Sequence, residues 1–438
     1  MGGELMLDDV ARSWGRLSLQ PHRFEVLRDR DELRLAPTSA GRAVAYGNGR
    51  SYGDACLNDG GRLWATRGLD RFIGFDAETG QLEAEAGVLL REITAVALPR
   101  GWFLAVTPGT QEVTLGGAIA NDVHGKNHHR NGTFGEHVIA LALARSDGTR
   151  LLCNADENRE WLRATIGGLG LTGVIVSARI QLQRVPGPWL DAESLPFTSL
   201  NEFFDLSRQS ELGWQYSVAW MDCIGGPRAD VRGVFFQANH AAGPACEPAL
   251  RARFMPPLPI SLVNPVSLRL FNSAYFLAHR RRARRLQHFR RFFYPLDHVQ
   301  DWNHLYGPRG FYQYQCVLPR RSEVGATAEV LRLIRNSGFG SFLAVLKTFG
   351  DRASAGLLSF PMAGTTLALD FPNQGDATLQ LLDRLDRVVT EVGGRIYPAK
   401  DARMSRSMFQ AGYPALSEFG AFRDPGISSA MSRRLLGG

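Results

Sequence analysis

The stretch that most limits what this chain can fold into is residues 107–138, TPGTQEVTLGGAIANDVHGKNHHRNGTFGEHV. Its glycines, Gly109, Gly116, Gly117, Gly125, Gly132 and Gly135, come too often for the interior of a helix or strand. Backbone without side chains lets amide N–H groups approach a ligand closely, and clusters of outward N–H groups make concavities that hold phosphate. The same stretch carries His124, His128, His129, His137 and Lys126. No spacing among these histidines matches a zinc signature such as H-E-x-x-H, so no metal site is expected.

Two more glycine groups flank it. Residues 45–53, AYGNGRSYG, follow a short apolar run. Gly47, Gly49 and Gly53 give G-x-G-x-x-x-G, which departs from the dinucleotide fingerprint G-x-G-x-x-G, and no Walker lysine motif is present. Residues 167–173, GGLGLTG, precede a strand. Three separated glycine turns point to one extended ligand held by several loops.

Several strings together resemble flavoproteins of the vanillyl-alcohol-oxidase type, and within them a branch that oxidises a sugar hydroxyl. They are Ser13-Trp14-Gly15-Arg16, Gly49-Arg50-Ser51-Tyr52-Gly53-Asp54, Gly116-Gly117-Ala118-Ile119-Ala120, His124-Gly125-Lys126-Asn127-His128-His129 and Gly170-Leu171-Thr172-Gly173. Tyr314-Gln315, Asp370-Phe371-Pro372 and Ala399-Lys400-Asp401 continue the likeness nearly to the C-terminus. The resemblance implies FAD held by Gly47, Asn48, Gly49, Arg50, Ser51, Tyr52, Pro108, Gly109, Thr110, Gly116, Gly117, Ala120, Asn121, His124, Gly125, Asn127, His128, Gly173 and Ile175. It implies catalysis by Lys400, Tyr397 and His124, and substrate contacts from Lys126, Gln313, Gln315, Lys347, Tyr397 and Lys400. Many relatives attach FAD to a histidine in a G-H-S-Y turn. Here Arg50 stands in that place, and arginine forms no such bond, so non-covalent FAD is expected. Two positions depart from the branch: Ala368 replaces a cysteine two residues before D-F-P, and Ser429-Ala430 replaces an S-D pair. The implied substrate is a glycosyl lipid or, alternatively, a soluble aminoglycoside or nucleoside. A short-chain reductase partner and peripheral membrane contact go with the first.

At 438 residues the chain has room for two or three domains, and 44% apolar with 21% charged residues is ordinary globular material. The net charge of +7 suits an anionic ligand or surface. No aromatic-interleaved basic motif or zinc finger appears, so nucleic acid is not an expected partner. Cys56, Cys153, Cys223, Cys246 and Cys316 are scattered without a CxxC, which fits a reducing cytoplasm. The N-terminus lacks an apolar signal core.

The expected fold class is α+β, with an FAD-binding part at 1–186 completed by 395–438 and a substrate domain at 187–394 built as an antiparallel sheet with covering helices. In the first part a helix is expected at 28–35, strands at 42–46, 81–88, 138–144 and 174–185, and helices at 88–98 and 158–166. Pro186, Pro188 and Pro196 mark a boundary at 186–196. Strands then follow at 214–221, 231–237, 312–318, 342–349 and 365–371, and helices at 199–208, 322–337 and 376–392. Residues 254–286 stand apart, with four prolines followed by RRRARR at 280–285. They read as a solvated helix face, a flap over the substrate, or a membrane-surface patch.

Overall fold

The computed structural model describes residues 7–9, 11–35, 41–225, 231–244 and 252–437. Cys246 and residues 1–6, on which part of the thiol and leader readings rest, lie outside them. The described chain mixes helices with largely antiparallel sheets, an α+β arrangement.

The first sheet runs in the order Leu7–Asp9, His22–Val26, Arg62–Ala65, Ala43–Tyr46, with parallel pairing among the last three. Ala43, Val44, Leu63 and Trp64 are all buried, as short parallel strands covered on both faces require. The second sheet is built on Val174–Arg184, which pairs with Gln81–Glu85, Val138–Ala144 and Trp102–Leu104. Ile180 and Leu182 are buried while Arg179 points to solvent, so the alternation read in the sequence fixes which face meets the core. Helix Leu90–Ala97 lays Leu90, Ile93 and Ala97 on this core, and the Glu92 carboxylate caps it by accepting from the Leu89 N–H at 2.8 Å.

The third sheet has eight antiparallel strands in the order Ala283–His288, Trp189–Phe197, Arg232–Ala241, Tyr216–Asp222, Val345–Phe349, Gly364–Pro372, Phe311–Pro319, Arg395–Ile396. Helices Leu200–Gly213, Glu323–Ser337 and Asp376–Glu391 cover one face. Ala219, Leu346, Cys316, Leu367 and Leu369 point into that cover with Val330, Leu331, Leu381 and Leu385. Each fully buried leucine there contributes about 1.5–3 kcal/mol of transfer free energy. The alternate residues, Val218, Trp220, Val345, Lys347, Gln313, Gln315 and Ala368, face a cavity on the other side. After this sheet the chain returns to the first: Ser146 donates its N–H to Asp424 at 2.8 Å, and Arg434 pairs with Asp54 at 2.7 Å.

Four expectations are corrected. Residues 28–35 form no helix, because the Asp29 side chain accepts from the Asp31 N–H and competes with helical bonding. The proline-marked boundary is confined to 186–188, since Trp189–Phe197 is a full strand that carries Pro196. Arg395–Ile396 closes the third sheet, so the return begins after it. The arginine run is no helix face: Ala283–His288 is the edge strand, where Arg284 pairs with Asp191 and Arg282 with Glu193 across to its neighbour. Charged edge strands keep sheets from pairing edge to edge. No helix among the described residues is long and apolar enough to cross a membrane.

Candidate active site

A cavity of about 1330 Å³ lies between the glycine turns of the first region and the open face of the third sheet. Single-ligand pockets run to roughly 300–1,000 Å³, so there is room here for a cofactor and a substrate together.

The turn 48–53 forms one end. Gly49 has φ +61°, and a Cβ there would meet the Tyr46 hydroxyl at 2.3 Å and the Arg12 carbonyl at 2.6 Å. A Cβ on Gly53 would fall 1.7 Å from the Asp401 carbonyl, so glycine lets the turn lie flat against 399–401. Trp14 and Tyr52 complete the seam, donating their N–H groups to the Ser51 carbonyl at 2.7 Å and the Ala399 carbonyl at 3.0 Å. The backbone N–H groups of Asn48, Gly49, Arg50, Ser51, Gly109 and Thr110 meet no acceptor among the described residues. Arg50 lies 4.3 Å from the Trp14 ring, with its buried Nε unpartnered. Free amides and a fixed cation at one end of the cavity suit a pyrophosphate, so these residues fit the expected FAD.

The lining is also cationic in an unusual way. Of the 50 lysines and arginines in the chain only three are lysine, and all three line this cavity. Lys126 donates to the Phe292 carbonyl and lies 4.7 Å from the centroid of the Phe292 ring; burial and then the Lys347 charge bring its pKa down to about 7. Lys347 donates to the Gly125 carbonyl at 3.3 Å, and burial lowers it to about 8. Lys400 sits 3.6 Å from the centre of the Tyr52 ring, and its Nζ finds no hydrogen-bond acceptor among the described residues. Burial lowers its pKa to about 7, against the opposing pull of Asp370.

His124 is packed among Phe349, Phe360 and Tyr397. Gln315 donates to its Nε2 at 2.9 Å, while burial and Lys347 hold the ring well below its usual range. It is therefore neutral, with its accepting nitrogen already used. Tyr397 donates its hydroxyl to the Asn121 carbonyl at 2.8 Å, and burial pushes its pKa well up. Neither has the free basic lone pair that Lys400 has.

Every sequence-derived site residue lines the cavity except Asn127 and His128. Asn127 donates to the Ala105 carbonyl, and His128 accepts from the Gly350 N–H while packing on Phe349. Ala368 is on the cavity wall beside Gln315. Ser429-Ala430 is away from it, with Ser429 capping the last helix, Ala430–Leu436. The sequence reading missed Trp220, Tyr275, Phe292, Tyr294 and Asp297. The string FRRFFY at 289–294 is the one signal that could have found two of them. Among the described residues no cluster suits a metal ion.

Residues 30–154 match the FAD binding domain family model. The chain is 36% identical to decaprenylphosphoryl-beta-D-ribose oxidase of Mycolicibacterium smegmatis, over 96% of each chain. It is 31% identical to L-gulonolactone oxidase of Bos taurus over 44% of this chain and 43% of that one. The whole-length match and the domain match agree: the chain belongs to the family of FAD-linked oxidoreductases that includes decaprenylphosphoryl-beta-D-ribose oxidase.

Proposed function

We propose that this FAD-dependent oxidoreductase converts a ring hydroxyl of a sugar-containing substrate to a ketone, with Lys400 taking the hydroxyl proton. The observation that carries this reading is the placement of Lys400: a cavity-facing amine with no acceptor, titrating near neutrality at about 7. An amine of that pKa is substantially neutral at pH 7 and able to accept a proton. Bound FAD would supply the acceptor for the hydride of the carbinol carbon. Lys126, Lys347 and Gln315 hold the sugar by hydrogen bonds, and the partial positive charge of the two lysines suits an anionic group on it. His124 and Tyr397 orient the reacting groups. The turn 48–52 with Arg50, and the loops at 108–125 and 173–175, hold the cofactor without a covalent bond. In this reading residues 1–186, with the return after Ile396, serve the cofactor, and the third sheet serves the substrate.

A glycosyl lipid is favoured over a soluble aminoglycoside or nucleoside by the outer rim. Helix Pro265–Ala278 exposes Val266 and Leu270 by 67% and 68%, and Leu277 by 56%. On the same helix Phe271 and Tyr275 line the cavity, together with Arg285. An apolar helix face edged by arginines suits an anionic membrane surface, from which a lipid-linked sugar would enter. A short-chain reductase would then consume the ketone. The test is anaerobic bleaching of the flavin absorbance. A polyprenyl-phosphate sugar is expected to bleach it; bleaching by soluble aminoglycosides or nucleosides alone would overturn the lipid reading.

A further inference from the structure

The proton chemistry assigned to Lys400 leaves one buried acid unexplained. Asp370 pairs in register with Gln313 on the neighbouring strand, and Gln313 donates to its Oδ1 at 2.6 Å. Its Oδ2 is buried with no partner. A carboxyl with an unsatisfied oxygen in a dry site is costly, so such groups call for a reason. Among the described residues the cation that acts on it is Lys400. From the turn at 48–53 comes Tyr52, whose ring lies under the Lys400 ammonium and whose hydroxyl meets Gln313; Tyr306 adds a buried hydroxyl without a partner. Lys347, on the neighbouring strand Val345–Phe349, opposes the charge on Lys400, and Lys400 in turn opposes protonation of His124. The Asp401 carboxylate, next to Lys400 in sequence, is turned away to the Met404 N–H and to Arg434. Tyr52 and Gln313 thus join Asp370 to Lys400, and among the described residues Asp370 is the carboxylate that acts on it.

We propose that Asp370, fixed by Gln313, is a positioning residue that sets the proton affinity of Lys400 and stabilises the ammonium formed when Lys400 takes the substrate hydroxyl's proton. The O–H bond breaks, the N–H bond forms on Nζ, and the new positive charge is matched by the Asp370 carboxylate. Burial holds Lys400 down to about 7 and raises Asp370 to about 7, while each favours the charged form of the other. Asp370 therefore keeps Lys400 from falling so low that it could not hold the proton it accepts. The inference rests on Lys400 being the base, which flavin-reduction rates of Lys400→Ala test separately.

The small number of lysines makes the test direct. Lysine-selective NMR of the FAD-loaded protein should resolve three side-chain signals, assigned by single Lys→Gln variants and titrated with pH. In Asp370→Asn the Lys400 midpoint should fall by about one pH unit or more, the usual effect of removing a nearby opposite charge. Lys126 and Lys347, whose shifts do not involve Asp370, should stay in place and serve as internal controls. Asp370→Glu should return most of the shift. Gln313→Met, which leaves the carboxyl without its donor, should move Lys400 the same way by less, and it keeps the test available if Asp370→Asn does not fold. An unmoved Lys400 midpoint, or equal movement of all three lysines, would overturn the proposal.

Discussion

The two walls of the cavity are built on opposite plans. One is backbone: the turns at 48–53 and 108–125 present amides, with glycines where a Cβ would strike a neighbour. The other is side chain: Gln313, Gln315, Lys347 and Ala368 project from adjacent strands of a rigid sheet. A backbone wall recognises a group common to every turnover and tolerates little change. A side-chain wall can be altered one residue at a time without disturbing the cofactor, which is how Ala368 can replace a cysteine and leave the glycine turns unaffected.

This contrast makes graded predictions. The largest effect belongs to Gly53→Val, whose Cβ would overlap the Asp401 carbonyl and force the turn away from 399–401. The parent protein, acid-precipitated, should release all its FAD to the supernatant; the variant should carry none. Full FAD retention by Gly53→Val, or yellow colour left in the parent's pellet, would break the account of the backbone wall. The smallest effect belongs to the rim. Arg280 and Arg281 are exposed and make no ion pair among the described residues, whereas Arg282 and Arg284 brace the edge strand. Arg280→Ser with Arg281→Ser should therefore weaken binding to anionic vesicles, by about 1 kcal/mol per residue, and flatten its salt dependence. Vesicle binding equal to the parent's would leave the arginines with only a solvating role.

The same contrast explains what the sequence made legible. The backbone wall announces itself locally, because a turn that must run against 399–401 needs Gly53 whatever else surrounds it. Ala399-Lys400-Asp401 was legible only through the family resemblance, and the structure shows why it belongs here: Tyr52 and Ala399 are joined by a main-chain bond. The side-chain wall depends on strand register and long-range burial. Asp370 becomes interesting only once it stands beside Gln313 and near Lys400, 57 and 30 positions away in the chain. The arginines at 282 and 284 read as a helix face until Glu193 and Asp191 are placed across from them. At 28–35, helix-forming residues yield to a side-chain bond from Asp29 that a periodicity argument does not weigh.

The central claim is that Lys400 is the base, and rapid-mixing flavin reduction tests it most directly, using whichever sugar substrate bleaches the parent. The neutral amine is the reactive form, so the parent's rate should rise with pH through about 7 and level off above it. Lys400→Ala should retain FAD, lose that pH dependence and slow by roughly 10²-fold or more. Lys400→Arg should not recover the rate, since arginine keeps the charge but stays protonated. Reduction of Lys400→Ala at near the parent's rate, or rescue by arginine, would contradict the assignment.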